Sequence, residues 1–280
     1  MGVSQHLKLP AGASLWLVPP QPHHLLPHGD KSNSHGLHIP HPHLQGHAKR
    51  HSQDLSTPKD HSRQSPKDLS KSLHQHNIYE TLTELISTIP STIPDSTASK
   101  PLSFVPHITL TSGIDLAALQ PSPKAVLERI AIPEPDNVIV SFTSLEIGPT
   151  FTKKLFLRCD RAGLQGLAEL ARWQAVEATK DVSNANDIGA EDARRRAEEW
   201  AESSFDPHVS LLYSGAQVSE EQKTDVQNEI TKAGITFNGT GDLGGWTGGS
   251  IWLVDTSLPI TEWKPIAERN LKLGTDTQDL

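Results

Sequence analysis

Across 280 residues the chain holds a single cysteine, Cys159, which excludes an internal disulfide and any cysteine-based zinc site and leaves the fold to its core. Its net charge of −8 is unevenly spread: residues 1–76 balance at +4 and residues 77–280 at −12, so the latter gain nothing from counterion release on long nucleic acid. No apolar run approaches the about 18 residues of a membrane span, and no secretory leader pattern is present, so a soluble protein is expected.

After an N-terminal extension over 1–13, residues 14–18 (Ser-Leu-Trp-Leu-Val) predict a strand stopped by Pro19-Pro20. Residues 21–76 hold 12 of the 15 histidines, no aromatic Phe, Trp or Tyr, and few aliphatic residues. So few apolar groups cannot offset the entropy of ordering the backbone, and a disordered insertion is expected. Ile78, Leu82, Leu85, Ile86 and Ile89 then fall at helical spacing, with Pro90 and Pro94 as the expected stop. A strand over 104–112 follows, then a helix over 124–130, and a hairpin of 138–147 and 151–159 joined near Gly148-Pro149. Helices over 164–179 and 191–202, a strand over 207–213, a helix over 220–233 and a strand over 250–255 complete the order. Residues 14–20 and 77–280 are expected to form one domain, of two similar halves.

Outside the histidine-rich stretch and His6 only two histidines remain, in His107-Ile108-Thr109-Leu110 and His208-Val209-Ser210-Leu211. Side chains alternate faces along a strand, so His107 shares a face with Thr109 and His208 with Ser210. An isolated His-x-Thr in a strand is ordinarily a hydrogen-bonded sheet histidine. Two such tools facing one cleft can do more: one neutral imidazole takes a proton from water, and the other, protonated, gives one to a leaving oxygen. The hydroxyls would hold the non-bridging oxygens of a phosphate. Spacing alone leaves open which histidine is base and which is acid. A metal site built on these two histidines would lack an acidic third ligand, and no cofactor is expected.

The motifs and their flanks, Ser14-Leu15-Trp16-Leu17-Val18-Pro19-Pro20, Phe104-Val105-Pro106-His107-Ile108-Thr109-Leu110 and Phe205-Asp206-Pro207-His208-Val209-Ser210-Leu211-Leu212-Tyr213, resemble the 2H phosphoesterase superfamily, and within it the fungal 2′,3′-cyclic-nucleotide 3′-phosphodiesterases. The resemblance implies a bilobal α+β fold, with two antiparallel sheets lining a central cleft and helices outside. It implies His107 and His208 as the catalytic pair, Thr109 and Ser210 as phosphate holders, Tyr213 at the phosphate and Trp16 stacked on the base. Tyr213 lies five residues after His208, so a bend or bulge is needed to bring it to the same face. The implied reaction opens nucleoside 2′,3′-cyclic phosphates to 2′-phosphates, and ADP-ribose 1″,2″-cyclic phosphate to ADP-ribose 1″-phosphate, in tRNA-splicing metabolism. The expected partner is thus a small cyclic nucleotide, handled by a monomer in the cytoplasm or at the cytosolic face of the Golgi. Two alternatives stand beside it: a 2H enzyme acting on RNA ends or 2′–5′ linkages, and a histidine-rich scaffold or metal buffer.

Overall fold

The computed structural model describes residues 12–21, 66–94, 100–180 and 187–271. Most of the histidine-rich stretch, residues 22–65, lies outside them. Among the described residues eight strands form two antiparallel four-stranded sheets. The first has the order β2-β1-β7-β8, built from β1 (Ala13–Val18), β2 (Ile108–Ile114), β7 (Gly249–Asp255) and β8 (Pro265–Leu271). The second has the order β5-β4-β3-β6, from β3 (Ile139–Thr150), β4 (Lys153–Cys159), β5 (His208–Leu212) and β6 (Gly245–Thr247). The two motif strands, β2 and β5, are edge strands of different sheets and touch one another, so the sheets meet along the motifs.

Helix α1 (Pro66–Thr92) begins well before Ile78, which corrects the expectation of disorder up to residue 76. The sequence Ser65-Pro66-Lys67-Asp68 carries a helix-start signal, and extending an existing helix costs far less than nucleating one. The helix also continues past Pro90 to Thr92, and the Ile93 N–H still donates to the Ile89 carbonyl. Proline removes one hydrogen bond, while Ile89 and Ile93, both at most 1% exposed, continue the buried face set by Ile78, Leu82 and Ile86. That face packs on β5 and on α6 (Glu220–Lys232). A Ser219–Gln222 capping box starts α6, and Gly234, at φ +84°, follows it.

Gly148 and Pro149 sit inside β3 rather than at the hairpin turn, which is made by Phe151-Thr152 between the paired Thr150 and Lys153. A Cβ on Gly148 would lie 1.9 Å from the Lys153 carbonyl oxygen, so only glycine admits this strand crossing. Short helix α2 (Pro123–Arg129), capped by Ser122, packs on β8. Helix α3 (Gln165–Arg172) passes through a π-helical turn (Trp173–Glu177) into the single turn α4 (Ala178–Lys180). It packs against β2 and against α5 (Asp187–Ser203), whose Ala193, Ala197 and Ala201 let the two helices approach closely. Glu177, only 3% exposed, is held there by Arg172, Lys180 and Arg196. Among the described residues no helix is long and apolar enough to cross a membrane.

Candidate active site

Both motif histidines are placed by the same local device. In Val105-Pro106-His107 and Asp206-Pro207-His208 the proline biases the residue before it towards an extended backbone. The carbonyl of that residue then accepts from the imidazole: His107 Nδ1 lies 2.7 Å from Val105 O, and His208 Nδ1 lies 2.8 Å from Asp206 O. A carbonyl can only accept, so each Nδ1 carries the proton and each Nε2 is left to exchange one. His107 stacks on Trp16, ring centroids 3.7 Å apart and 11° from parallel, while His208 meets the edge of Phe156 at 5.2 Å. Burial lowers both imidazoles to a pKa of about 4. For His107 the Val105 carbonyl works against this shift and His208 adds to it. For His208 the Asp206 carbonyl opposes it and Lys153 adds to it.

His107, Thr109, His208, Ser210, Tyr213 and Trp16, all expected from the sequence, line one pocket of about 290 Å³. The residues between them, Ile108, Leu110, Val209 and Leu211, are buried in the main core, as strand alternation requires. Tyr213 reaches the pocket through a register shift. Phe156 pairs with Ser210 but Leu155 with Leu212, so β5 carries one extra residue, Leu211, and parity reverses after it. The other motif strand does the same: Trp16 pairs with Thr109 and Leu15 with Thr111, leaving Leu110 as the extra residue of β2. Ser112, also five residues after its histidine, therefore lines the pocket as Tyr213 does. The repeated spacing is the signal that could have singled out Ser112; it becomes readable only when both bulges are known.

The Ser210 hydroxyl donates to the Thr152 carbonyl at 2.8 Å and faces the same pocket as Tyr213. Burial raises the Tyr213 hydroxyl well above its usual range, against the effect of Ser210, so it stays a protonated donor. Tyr213 is braced by stacking on Phe104 at 3.7 Å. Lys153, which strand patterning does not distinguish from a solvated lysine, also lines the pocket. Its ammonium pairs with the Asp206 carboxylate and sits 4.4 Å over the Phe156 ring. Arg158 pairs with the same carboxylate and with Glu146. Burial works to raise the Asp206 carboxyl, but Lys153 and Arg158 outweigh it and hold it below its ordinary value. The segment whose carbonyl orients His208 is thereby clamped to β4.

The chain that carries this pocket has relatives among known proteins. The family model for cyclic phosphodiesterase-like proteins matches residues 72–271. The chain belongs to this family. Similar cyclic phosphodiesterase-like proteins include three named 2′,3′-cyclic-nucleotide 3′-phosphodiesterase. One from Phaeosphaeria nodorum is 35% identical over 191 residues, covering 66% of this chain and 92% of the relative. One from Neurospora crassa is 32% identical over 209 residues, covering 70% and 94%. One from Yarrowia lipolytica is 31% identical over 203 residues, covering 67% and 92%.

Proposed function

We propose that this chain hydrolyses nucleoside 2′,3′-cyclic phosphates to nucleoside 2′-phosphates, and ADP-ribose 1″,2″-cyclic phosphate to ADP-ribose 1″-phosphate in tRNA-splicing metabolism, by two-histidine acid–base catalysis in the pocket between the sheets. The observation that carries this reading is the shared pocket: two imidazoles with Nδ1 committed to a carbonyl, each with a hydroxyl two residues on. The names of the family members supply the substrate class. Water attacks phosphorus as one neutral Nε2 removes its proton. The P–O3′ bond breaks, and O3′ takes a proton from the other, protonated imidazole. Thr109 and Ser210 hold the non-bridging oxygens, with Ser210 turning its proton from the Thr152 carbonyl to the phosphate. After turnover the two imidazoles have exchanged protonation states, and proton exchange with solvent resets them.

The surroundings divide the roles. A parallel indole face favours an imidazolium, so Trp16 makes His107 the acid. The Lys153 ammonium disfavours a second cation nearby, which makes His208 the base. With both groups near pKa 4 in the structure, the proton on His107 arrives with the substrate, whose negative charge stabilises it. The signs are opposite for the two neighbours. Trp16→Leu lowers the pKa of the acid and moves the alkaline limb of the kcat profile to lower pH. Lys153→Met raises the pKa of the base and moves the acidic limb to higher pH. With the roles exchanged, Trp16→Leu would instead move the acidic limb to lower pH and Lys153→Met the alkaline limb to higher pH.

The reading is tested by comparing 2′,3′-cyclic AMP with an oligoribonucleotide ending in a 2′,3′-cyclic phosphate, each with excess chelator. Faster turnover of the mononucleotide is expected, in line with the −12 balance of residues 77–280. Turnover of the oligonucleotide alone would move the assignment to RNA ends, and turnover of neither would overturn it.

A further inference from the structure

One end of the histidine pocket takes no part in the acid–base chemistry. Ser14 and Ser112 line it, paired across β1 and β2, together with Thr256 just after β7. Trp16 pairs with Thr109 and Ser14 with Ser112, so this row lies two residues of β1 beyond the motif hydroxyl, about 7 Å along the strand. Ser14 is 3% exposed and Thr256 5%. The Thr256 hydroxyl donates its one proton to the Gly12 carbonyl at 2.9 Å. The Ser14 hydroxyl, 3.0 Å from Thr256 Oγ1, must therefore donate to Thr256, and the Ser14 oxygen keeps only lone pairs for the pocket. A buried oxygen that can only accept calls for a proton from the ligand.

We propose that this row is a subsite for the free hydroxyl of the reacting ribose. Ser14 accepts its proton, and Ser112, half-buried on the neighbouring strand, donates to its oxygen. This subsite rests on the cyclic phosphodiesterase reading of the same pocket. A nucleoside 2′,3′-cyclic phosphate has both vicinal oxygens tied to phosphorus, so the 5′-hydroxyl is the one sugar hydroxyl left. ADP-ribose 1″,2″-cyclic phosphate also keeps one hydroxyl on the reacting ring, at 3″. A 5′-phosphate ester offers acceptor oxygens where Ser14 needs a proton, and Ser14, Ser112 and Thr256 carry no positive charge to attract it. The row therefore selects a free hydroxyl over an esterified one.

The test compares kcat/KM of the wild-type chain for 2′,3′-cyclic AMP, its 5′-deoxy analogue and its 5′-deoxy-5′-fluoro analogue. Fluorine is close to the hydroxyl in size but has no proton to give. The hydroxyl compound is expected to lead both analogues by about 2- to 12-fold, the range of one net hydrogen bond. Ser14→Ala brings these ratios towards one through the KM of the hydroxyl compound. Equal handling of all three by the wild type overturns the subsite while leaving the phosphodiesterase reading intact. A fluoro analogue as good as the hydroxyl compound overturns it as well, since Ser14 would then accept no proton from the ligand. So does a Ser14→Ala variant that slows all three by one factor, the mark of a structural role. A wild-type chain that opens none of the three rings overturns both.

Discussion

His107→Ala or His208→Ala is expected to reduce hydrolysis of 2′,3′-cyclic AMP by about 10²- to 10⁴-fold, the range of a positioned general acid or base. The double variant should be little worse than either single one, because the two groups act in one step and their effects do not add. Folding survives either change. Each imidazole is neutral, His107 buried and His208 half-buried, so its loss removes no ion pair, and each is tied to the backbone by one hydrogen bond. The acid stability should improve. A histidine whose folded pKa is lowered from 6.5 to about 4 opposes folding as the pH falls through that window, since the unfolded chain binds the proton first. For His107 this amounts to about 3 kcal/mol by pH 4. Circular dichroism at pH 7 together with turnover checks the prediction: a folded variant with wild-type turnover would remove that histidine from the mechanism.

Glu177→Gln is expected to be the most damaging change far from the chemistry, at about 3 kcal/mol, with Tm lower by roughly 6–12 °C for a domain of this size. The carboxylate is buried and faces Arg172 at 2.7 Å, Lys180 at 3.1 Å and Arg196 at 3.2 Å, so neutralising it leaves three cations close together. Burial works to raise its pKa, yet Lys180, Arg172 and Arg196 hold it below the ordinary carboxylate value. A carboxylate with a depressed folded pKa stabilises above its unfolded pKa of about 4.3 and loses that contribution as the pH falls through the folded value. The two proteins should therefore differ most at neutral pH and converge in acid. Thermal melts at pH 7 and pH 3.5 measure this; equal Tm values at pH 7 would show the cluster to be a solvated surface network.

Much of the site was legible because strand alternation is a two-residue period. It placed His107 with Thr109 and His208 with Ser210 without knowledge of the fold, and Ile108 and Val209 in the core. The odd spacing of Tyr213 also pointed to a bulge, which the register of β4 and β5 supplies at Leu211. Ser112 escaped notice because the matching bulge at Leu110 depends on pairing with β1, a strand some 90 positions earlier in the chain. Lys153 escaped for a different reason: what marks it is the Asp206 carboxylate across the β4–β5 pair, a tertiary contact. Strand β8 gave no hydrophobic alternation to read. It opens with Pro265, holds Glu268, Arg269 and Asn270, and lies at a sheet edge where one side remains unpaired. Strand β6 is three residues among glycines, with only Trp246 buried. The start of α1 at Pro66 was hidden by composition, since the histidine-rich sequence argued against order more strongly than one helix-start signal argued for it.

His107 and His208 are proposed to act together on one cyclic phosphate and to release O3′. Phosphorus-31 NMR of 2′,3′-cyclic AMP incubated with the full chain tests it most directly. The cyclic-phosphate resonance is expected to be replaced by that of the 2′-phosphate alone. A persistent cyclic resonance, or a 3′-phosphate product, would contradict it.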